Sequence, residues 1–516
     1  MRFPKLPSPS LPDLVFASLA LLIPLALGKQ LLNSDGDLGR HLRVGEHILH
    51  HGLLYRDAFS YTRFGQPFVG YEWLSEVGFA GVYRLGGLPA VSVACGLLMA
   101  LAYGFLTRWL LVRGVDPLLA YLTGILAAML GSTHWLARPH LFTLLGVAIL
   151  ISLLERDDKG ARPWAYLPLF ALWANLHGGF LFGLVVIGIY IAGDLAEAWA
   201  STDPSGWLLR ARRDGAALGM GVLGAFLTPY GLELPRHVLG WFGMKFVIDH
   251  TMEYLSPDFH TLTGRFILAV LLLLVAGLAL SPRRPTFPRL FLVLATIGFA
   301  LISQRNVPLL GLTALPVLAL HLDSAWRGLK DVGGIRGTFA RESPERRNGP
   351  WALAVTVPLL LVTMWPSPLV RLGLVPGYFD PTIFPVAATE KARAAGLTGR
   401  MYNEFTWGGY LLFAWPEQKV FIDGQTDFYG EELTRTHIRI QSLYPGWREL
   451  LKQWDISLVI MPTGSSLVHE MARDPAWRIW HCDRTATVLR QEKDAAPAPV
   501  DPDSAEAELK RCPADS

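Results

Sequence analysis

A series of long apolar segments constrains the fold of this chain more than any other feature. A helix needs about 20 mostly apolar residues to cross a bilayer, and the sequence offers about eleven candidates. Only 17% of the residues are charged, against about 25% in soluble domains. The sequence therefore predicts an α-helical polytopic membrane protein. The candidate spans lie near residues 12–32, 88–112, 116–134, 139–155, 163–177, 178–199, 214–231, 265–281, 287–304, 307–323 and 350–366.

Basic residues predict how these spans are oriented. If the N-terminus is inside, the loops on that side are richer in Lys and Arg than the loops on the other side, as cytoplasmic loops are. The first apolar run is too long for a signal peptide and lacks a small-residue cleavage site, so we interpret it as a retained helix. An odd number of spans then places the first loop (34–87) and everything after residue 367 outside. Segment 73–86 is predicted to lie at the surface or to dip partly in.

Charge argues against two other classes of function, and a flippase or transporter is the last of the alternatives. The net charge of +3 is too small to suggest a nucleic-acid partner. The centres of the spans hold almost no charged residues, whereas an ion-coupled transporter usually keeps ionisable groups there. The lipid bilayer is the partner that composition predicts.

The first loop opens with the most unusual polar segment, Ser34–His41. Charges so close to hydrocarbon are costly unless they are paired or take part in the protein's function, so Asp35 and Asp37 are candidate functional residues. Capping of the helix that begins near Leu38 is the alternative for this pair. That helix, 38–53, is predicted to be amphipathic. Its lipid-facing residues would be Leu42, Ile48 and Leu49, and its water-facing residues Arg40, Arg43, Glu46 and His47.

Further polar residues fall where other spans end on the same predicted side. A common face could gather them around one cavity, although Arg138 and Arg305 could also be simple span anchors. Glu46, Glu72 and Glu76 are most simply solvated helix charges, and Asp57 a turn residue. The span-end set is His134, Arg138, His140, Asn175, His177, Glu253, Arg305 and Asn306.

These residue types suit sugar transfer from a lipid-linked phosphate. A carboxylate serves as general base toward a hydroxyl, which assigns Asp35 or Asp37 to that role. Arginine binds phosphate through its planar fork, which favours Arg40, Arg138 or Arg305. His41, His140 or His177 could assist or bind a metal, and Glu72 is a further substrate-binding candidate. No HxxxH or HExxH spacing is present, so no metal ligand is assigned.

The C-terminal part changes from long apolar runs to alternating short elements. A Pro/Gly-rich linker covers 367–380, and strands are predicted at 400–403, 419–423, 457–461 and within 477–490, with helices between them. The predicted organisation is a membrane domain (1–366), a small outer α/β domain (367–492) and a disordered tail (493–516). Asp423 and Asp427 could bind an acceptor or simply stabilise a turn. Cys482 and Cys512 could pair if they lie outside the cytoplasm.

The chain resembles the GT-C superfamily of polytopic glycosyltransferases, within it a group of uncharacterised bacterial membrane proteins. The resemblance rests on Asp35-Gly36-Asp37, on the run Asp37–Glu46, and on Asp57–Thr62 with Glu72–Glu76. In the C-terminal part it rests on Tyr402-Asn403 with Trp407–Leu411, and on Phe421–Gly424 with Asp427 and Tyr429-Gly430. It implies a polyprenyl-phosphate sugar donor, inversion at the sugar and a location in the bacterial inner membrane. The superfamily's catalytic acid maps to Asp35 or Asp37, and we favour Asp37 because Arg40 and His41 follow within a turn.

The resemblance predicts neither a bound metal nor the identity of the acceptor. Superfamily members differ in their need for metal, so no cofactor is predicted and a divalent metal stays open. The acceptor, whether glycan, lipid or protein, is set by variable loops. Alternative functions are an oligosaccharide ligase or polymerase, and a non-enzymatic protein whose membrane part anchors a binding domain.

Overall fold

A computed structural model describes residues 9–155, 162–328, 351–364 and 375–492, together with Leu509 and Cys512. The chain divides into two compact units. The first, here called the helical unit, comprises Met1–Gly28, Leu85–Val238 and Ile248–Pro376. The second, the sheet unit, comprises Lys29–Arg84, Leu239–Val247 and Gly377–Ser516. The predicted disordered tail lies outside the described residues, apart from Leu509 and Cys512.

Helices dominate the described chain. Up to residue 364 they are α1 (Leu11–Ala26), α2 (Gly28–Asn33), α3 (Asp37–His51), α4 (Trp73–Val112), α5 (Pro117–Gly131), α6 (His140–Leu154), α7 (Tyr166–Leu176), α8 (Phe180–Ala200), α9 (Ser205–Ala225), α10 (Glu233–Gly240), α11 (Lys245–His250), α12 (Leu262–Leu280), α13 (Phe287–Ile302), α14 (Val307–Gly328) and α15 (Trp351–Met364). After residue 375 they are α16 (Val386–Ala394), α17 (Gly408–Ala414), α18 (Thr426–Gln441), α19 (Trp447–Gln453) and α20 (Ser466–Ala472).

A helix overlaps each of the eleven segments predicted to span the membrane. Five helices in the described part of the chain are long and apolar enough to cross a bilayer: Trp73–Val112, Pro117–His134, Phe180–Ala200, Leu262–Leu280 and Gln304–Arg327. Four shorter apolar helices accompany them. The predicted boundary before residue 88 also has a structural counterpart, since α4 is broken by non-helical backbone at Gly86 and Gly87.

Packing in the helical unit follows the apolar faces of its helices. Helix α9 packs against α7 and α8, α13 against α8 and α14, and α14 against α5. Side chains such as Tyr103, Phe170 and Leu310 are almost wholly buried there. Such packing holds the span ends, where the polar residues lie, in a defined arrangement.

The sheet unit contains a four-stranded mixed sheet in the order β1-β2-β4-β3. Its strands are β1 (Met401–Asn403), β2 (Leu458–Pro462), β3 (Trp477–Cys482) and β4 (Ala486–Gln491). Strand β1 pairs with β2 in parallel, and β4 pairs antiparallel with both β2 and β3. The predicted small C-terminal sheet with intervening helices is confirmed.

One predicted strand, 419–423, is not part of this sheet. Its backbone pairs instead with the first loop, through Val420 N–H to Phe59 O and Tyr61 N–H to Val420 O, both 3.2 Å. The side chain of Asn403 takes the place of a neighbouring strand, since it donates to Ile422 O and accepts from Phe421 N–H. The first loop therefore belongs structurally with the C-terminal part of the chain.

Cys482 and Cys512 form a disulfide, with their Cα atoms 5.4 Å apart. Cys512 follows Leu509, which is buried in the core of the sheet unit beside Tyr429 and Val459. The bond ties the C-terminal segment to strand β3.

Protonation of His437 on α18 is expected to destabilise the sheet unit at acid pH. The ring is buried, and its Nδ1 lies 3.0 Å from the Tyr402 hydroxyl. Burial lowers the pKa of His437 to about 4 from its usual 6.5. Because the folded state favours the neutral ring, its stabilisation is complete above pH 6.5 and is lost as the pH falls toward 4, about 3 kcal/mol in all.

We therefore expect thermal stability to fall between pH 6.5 and 4, and His437→Gln to flatten this part of the profile. Tryptophan fluorescence during heating in detergent measures both proteins across the pH range. His50→Gln, which changes an exposed ring, should leave the wild-type slope intact. Parallel profiles for wild type and His437→Gln would contradict the assignment.

Candidate functional site

The first loop and the C-terminal segment meet through glycines. A Cβ on Gly39 of α3 would lie 2.5 Å from the carbonyl oxygen of Gly409, and a Cβ on Gly409 would collide with the carbonyl of Gly36. Only glycine permits so close an approach of two backbones. The start of α3 is thereby held directly against the start of α17, and the polar residues between them are brought together.

Asp37 is the first residue of α3 and lies against Gly424. Any side chain at 424 would occupy the position of the Asp37 carboxylate. Asp35, which is half-buried like Asp37, accepts the Asp37 N–H at 2.9 Å. Asp35 thus stabilises the turn that leads into α3, whose N-cap residue is Gly36, and Asp37 faces the turn after residue 423.

Arg40, one turn further along α3, is the centre of a buried ionic network. Its Nε lies 3.4 Å from Asp423 Oδ1, its Nη1 lies 3.4 Å from Glu76 Oε1, and Nη2 donates to the Gln425 side chain. Burial opposes charge, yet Asp423 and Glu76 raise the pKa of Arg40 above its usual value, so the guanidinium is charged. The Tyr429 hydroxyl donates to Asp423 Oδ2 at 2.8 Å.

Two expectations about this face are wrong. Arg40 was predicted to face water but is only 4% exposed, and Glu76 was expected to be solvated but is 2% exposed. Amphipathic periodicity detects which residues share a helix face. It does not detect that residues 423–429, almost 400 positions later in the chain, cover that face.

His41 points to the same carboxylates from the next position. Its Nδ1 lies 3.2 Å from Glu76 Oε1 and 3.9 Å from Glu72 Oε2. Burial, with the neighbouring Glu76 and Asp427, raises the pKa of Glu72 to about 7, although His41 and Arg40 oppose this. Asp57, by contrast, is a turn residue as predicted, since it accepts from the Phe59 and Ser60 N–H groups.

The helical unit holds a second polar group at the ends of its helices. Arg138 and Arg305 approach the same carboxylate, with Nη1 atoms 3.6 and 3.3 Å from the two oxygens of Glu253. Burial would raise the pKa of Glu253, but Arg305 and Arg138 hold it below its usual value. Arg305 also contacts the hydroxyl of Tyr254.

Histidines border this arginine pair. His134 Nε2 lies 3.7 Å from Glu253, and the rings of His134 and His140 are 4.7 Å apart between centroids. The ring of His177 lies 6.5 Å from that of His140. His177 Nδ1 is 2.8 Å from the Thr143 hydroxyl.

The structure thus gathers the predicted residues into one group in each unit. The group in the sheet unit consists of Asp35, Asp37, Arg40, His41 and Glu72. The group in the helical unit consists of His134, Arg138, His140, His177, Glu253 and Arg305. Asn175 and Asn306 instead bond to backbone carbonyls at helix ends.

Sequence reasoning gave no site role to Gln425 or Tyr429 and undervalued Asp423 and Glu76. The available signal was the polar turn directly after a buried run, Phe421-Ile422-Asp423-Gly424-Gln425. That pattern is typical of a functional loop, but it is equally typical of a structural turn.

Removing the charge of Arg40 should destabilise the sheet unit strongly. In Arg40→Met, Asp423 and Glu76 lose their buried partner, which costs about 3–5 kcal/mol. Arg84→Met is the matched control, because Arg84 forms an exposed pair with Glu46 and its loss should not change stability measurably.

Denaturant unfolding in detergent, followed by tryptophan fluorescence, compares the two variants with wild type. Adding Asp423→Asn to Arg40→Met should restore part of the lost stability, since one unpaired carboxylate is then removed. Equal stability of Arg40→Met and Arg84→Met would show that the network contributes nothing.

Comparison with solved structures identifies the fold. The oligosaccharyltransferase of Archaeoglobus fulgidus in its apo form superimposes with a TM-score of 0.55 at 13% identity, over 94% of this chain and 74% of that one. ArnT from Cupriavidus metallidurans bound to undecaprenyl phosphate gives 0.53 at 15%, over 94% and 99%. The archaeal AglB in complex with an inhibitory peptide and a dolichol-phosphate gives 0.52 at 13%, over 97% and 76%.

Sequence comparison adds nothing to this, since no protein-family model matches the chain and no curated protein matches it. Identities of 13–15% establish the fold alone. The apolar helices and the shared fold together support a multi-pass membrane protein. The expectation from the sequence is confirmed: the protein has the fold of GT-C membrane glycosyltransferases.

Proposed function

We propose that this protein is a membrane glycosyltransferase that transfers a sugar from a polyprenyl-phosphate-linked donor to an acceptor hydroxyl. The observation that carries the proposal is the placement of Asp37, whose carboxylate is positioned at the turn after Asp423 by a glycine-packed helix start and a buried arginine network.

Asp37 acts as the general base. The acceptor hydroxyl gives its proton to the carboxylate while its oxygen attacks the anomeric carbon, and the sugar–phosphate bond breaks with its electrons leaving on the lipid phosphate. Attack opposite to the leaving group inverts the anomeric centre. Asp35 is the alternative base, and Asp37 is favoured because Arg40 and His41 follow it within one turn of α3; Asp35 accepts the Asp37 N–H.

Arg40 is assigned a positioning role rather than the phosphate contact expected from the sequence. Its guanidinium is engaged by Asp423, Glu76 and Gln425, and its side chain is only 5% exposed, against 16% for Arg138 and 26% for Arg305. This engagement orients the first turn of α3, and with it Asp37.

Recognition of the phosphate is assigned to Arg138 and Arg305. Both guanidinium groups are directed at one carboxylate, Glu253, so they already define a place where two cations hold one anion. His140 and His177 supply neighbouring ring nitrogens. Among the similar structures, ArnT is bound to undecaprenyl phosphate and AglB to a dolichol-phosphate.

The proposed topology has eleven spans, with the N-terminus in the cytoplasm and the C-terminal domain outside the inner membrane of a bacterium. The disulfide between Cys482 and Cys512 supports this side, because disulfides persist in oxidising compartments. Polyprenyl-linked donors are the sugar donors available there, which fits a cell-envelope role.

An oligosaccharide ligase is the second candidate. The likeness to an oligosaccharyltransferase over 94% of this chain favours it. The two functions differ in the donor, a single sugar or a preassembled glycan, so mass spectrometry of lipid copurified with the protein distinguishes them. A protein that is only a membrane anchor would retain no glycolipid.

Asp37→Asn should reduce sugar transfer about 10²–10⁴-fold, the usual contribution of a general base. Membrane insertion and melting temperature should stay near wild type. The assay follows transfer of radiolabelled sugar from membrane glycolipid to acceptor, with Asp35→Asn retaining more activity. Glu46→Gln, an exposed change on the same helix, is the control. Full transfer by folded Asp37→Asn would refute the base assignment.

Loss of either arginine should weaken binding of the lipid phosphate. We expect Arg138→Gln and Arg305→Gln each to raise the undecaprenyl phosphate concentration needed for a thermal shift about tenfold or more. Arg236→Gln, which removes an exposed arginine paired with Glu233, serves as control. Unchanged binding by both variants would exclude this assignment without affecting that of Asp37.

A further inference from the structure

Three side chains of the sheet unit combine the atoms that a transition metal requires. His41 on α3 supplies an imidazole nitrogen, and Glu72 and Glu76 supply carboxylate oxygens, all within 4.8 Å of one another. Metal–ligand distances of about 2.0–2.2 Å place ligands of one ion roughly 3–3.5 Å apart. Small side-chain rotations therefore suffice to enclose an ion.

The backbone already presents the two carboxylates to one side. Glu76 N–H donates to Glu72 O at 3.0 Å, the bond of a first helical turn, so the residues are one turn apart at the start of α4. Side chains four positions apart share a helix face. His41 reaches this face from α3, so the set joins two helices of the first loop.

A second, independent observation points to a ligand. Glu76 is 2% exposed, and its Oε2 has no hydrogen-bond partner among the residues that the structure describes. Its other oxygen, Oε1, is the one approached by Arg40 and His41. A buried carboxylate oxygen without a partner is costly, and a bound cation would satisfy it.

We propose that His41, Glu72 and Glu76 form a binding site for a divalent transition-metal ion of the zinc class. Imidazole nitrogen favours such ions over Mg²⁺ and Ca²⁺, which prefer oxygen ligands. Two carboxylates balance the charge of the ion, while Asp423 balances Arg40. Three protein ligands leave a fourth position for water or another oxygen ligand.

The metal would pin α3 to the start of α4 at the residue after Arg40. One ring nitrogen of His41 would bind the ion. The contacts of His41 with Glu72 and Glu76 would then be replaced by bonds from all three residues to the metal. This inference is separate from the proposed function, because binding of the metal alone tests it.

The experiment uses the full-length protein purified in detergent, stripped with EDTA and then dialysed against ZnCl₂. We expect one zinc per chain by mass spectrometry of metals and a rise in melting temperature, with no rise in MgCl₂ or CaCl₂. Glu72→Gln should lose the bound zinc and the temperature rise. It is the informative variant because Glu76 also lies 3.4 Å from Arg40 Nη1, so its loss would disturb the arginine network as well as the metal site.

The matched control addresses surface histidines. His47 and His51 lie one turn apart near the end of α3, 4.8 Å between ring centroids, and could retain zinc adventitiously. His47→Gln/His51→Gln should keep the full zinc content. X-ray absorption of zinc-loaded wild type should show one imidazole among oxygen ligands. Zinc retained by Glu72→Gln, loss of zinc in the His47/His51 variant, or no zinc in wild type would each overturn the proposal.

Discussion

The buried guanidinium of Arg40 is the interaction on which the arrangement of the sheet unit depends. Two carboxylates from distant segments, Asp423 and Glu76, meet it at 3.4 Å in surroundings that exclude water. Each would be expensive to bury alone, and so would the arginine. Because every partner requires the others, the network specifies how the first loop, the start of α4 and the turn after residue 422 fit together.

Glycine contacts make that network possible. Gly39 and Gly409 let two helix starts approach more closely than any side chain would allow, and Gly424 leaves room for the Asp37 carboxylate. Close packing of backbone and burial of charge thus act at the same place. A carboxylate held this way loses little freedom when a substrate binds, as the base that we propose would need to.

Much of the architecture could be predicted because apolar length and periodicity are local properties. Helices occur at all the predicted spans, and α4 breaks near the predicted boundary, where Gly86 and Gly87 interrupt the helix. The segment at 419–423 was also predicted to be extended, but its partner was not. Ser60, more than 350 residues earlier, pairs with Val420, and no local pattern encodes such a pairing.

The sequence by itself determined the membrane character, the positions of the helices and the identity of the polar residues worth attention, because each follows from composition within a short window. Tertiary structure alone decided which of them meet. It buried Arg40 and Glu76 where a helical wheel placed them in water, joined Cys482 to Cys512, and brought Arg138 and Arg305 to the single carboxylate of Glu253. Such contacts depend on long-range packing, which chain order does not reveal.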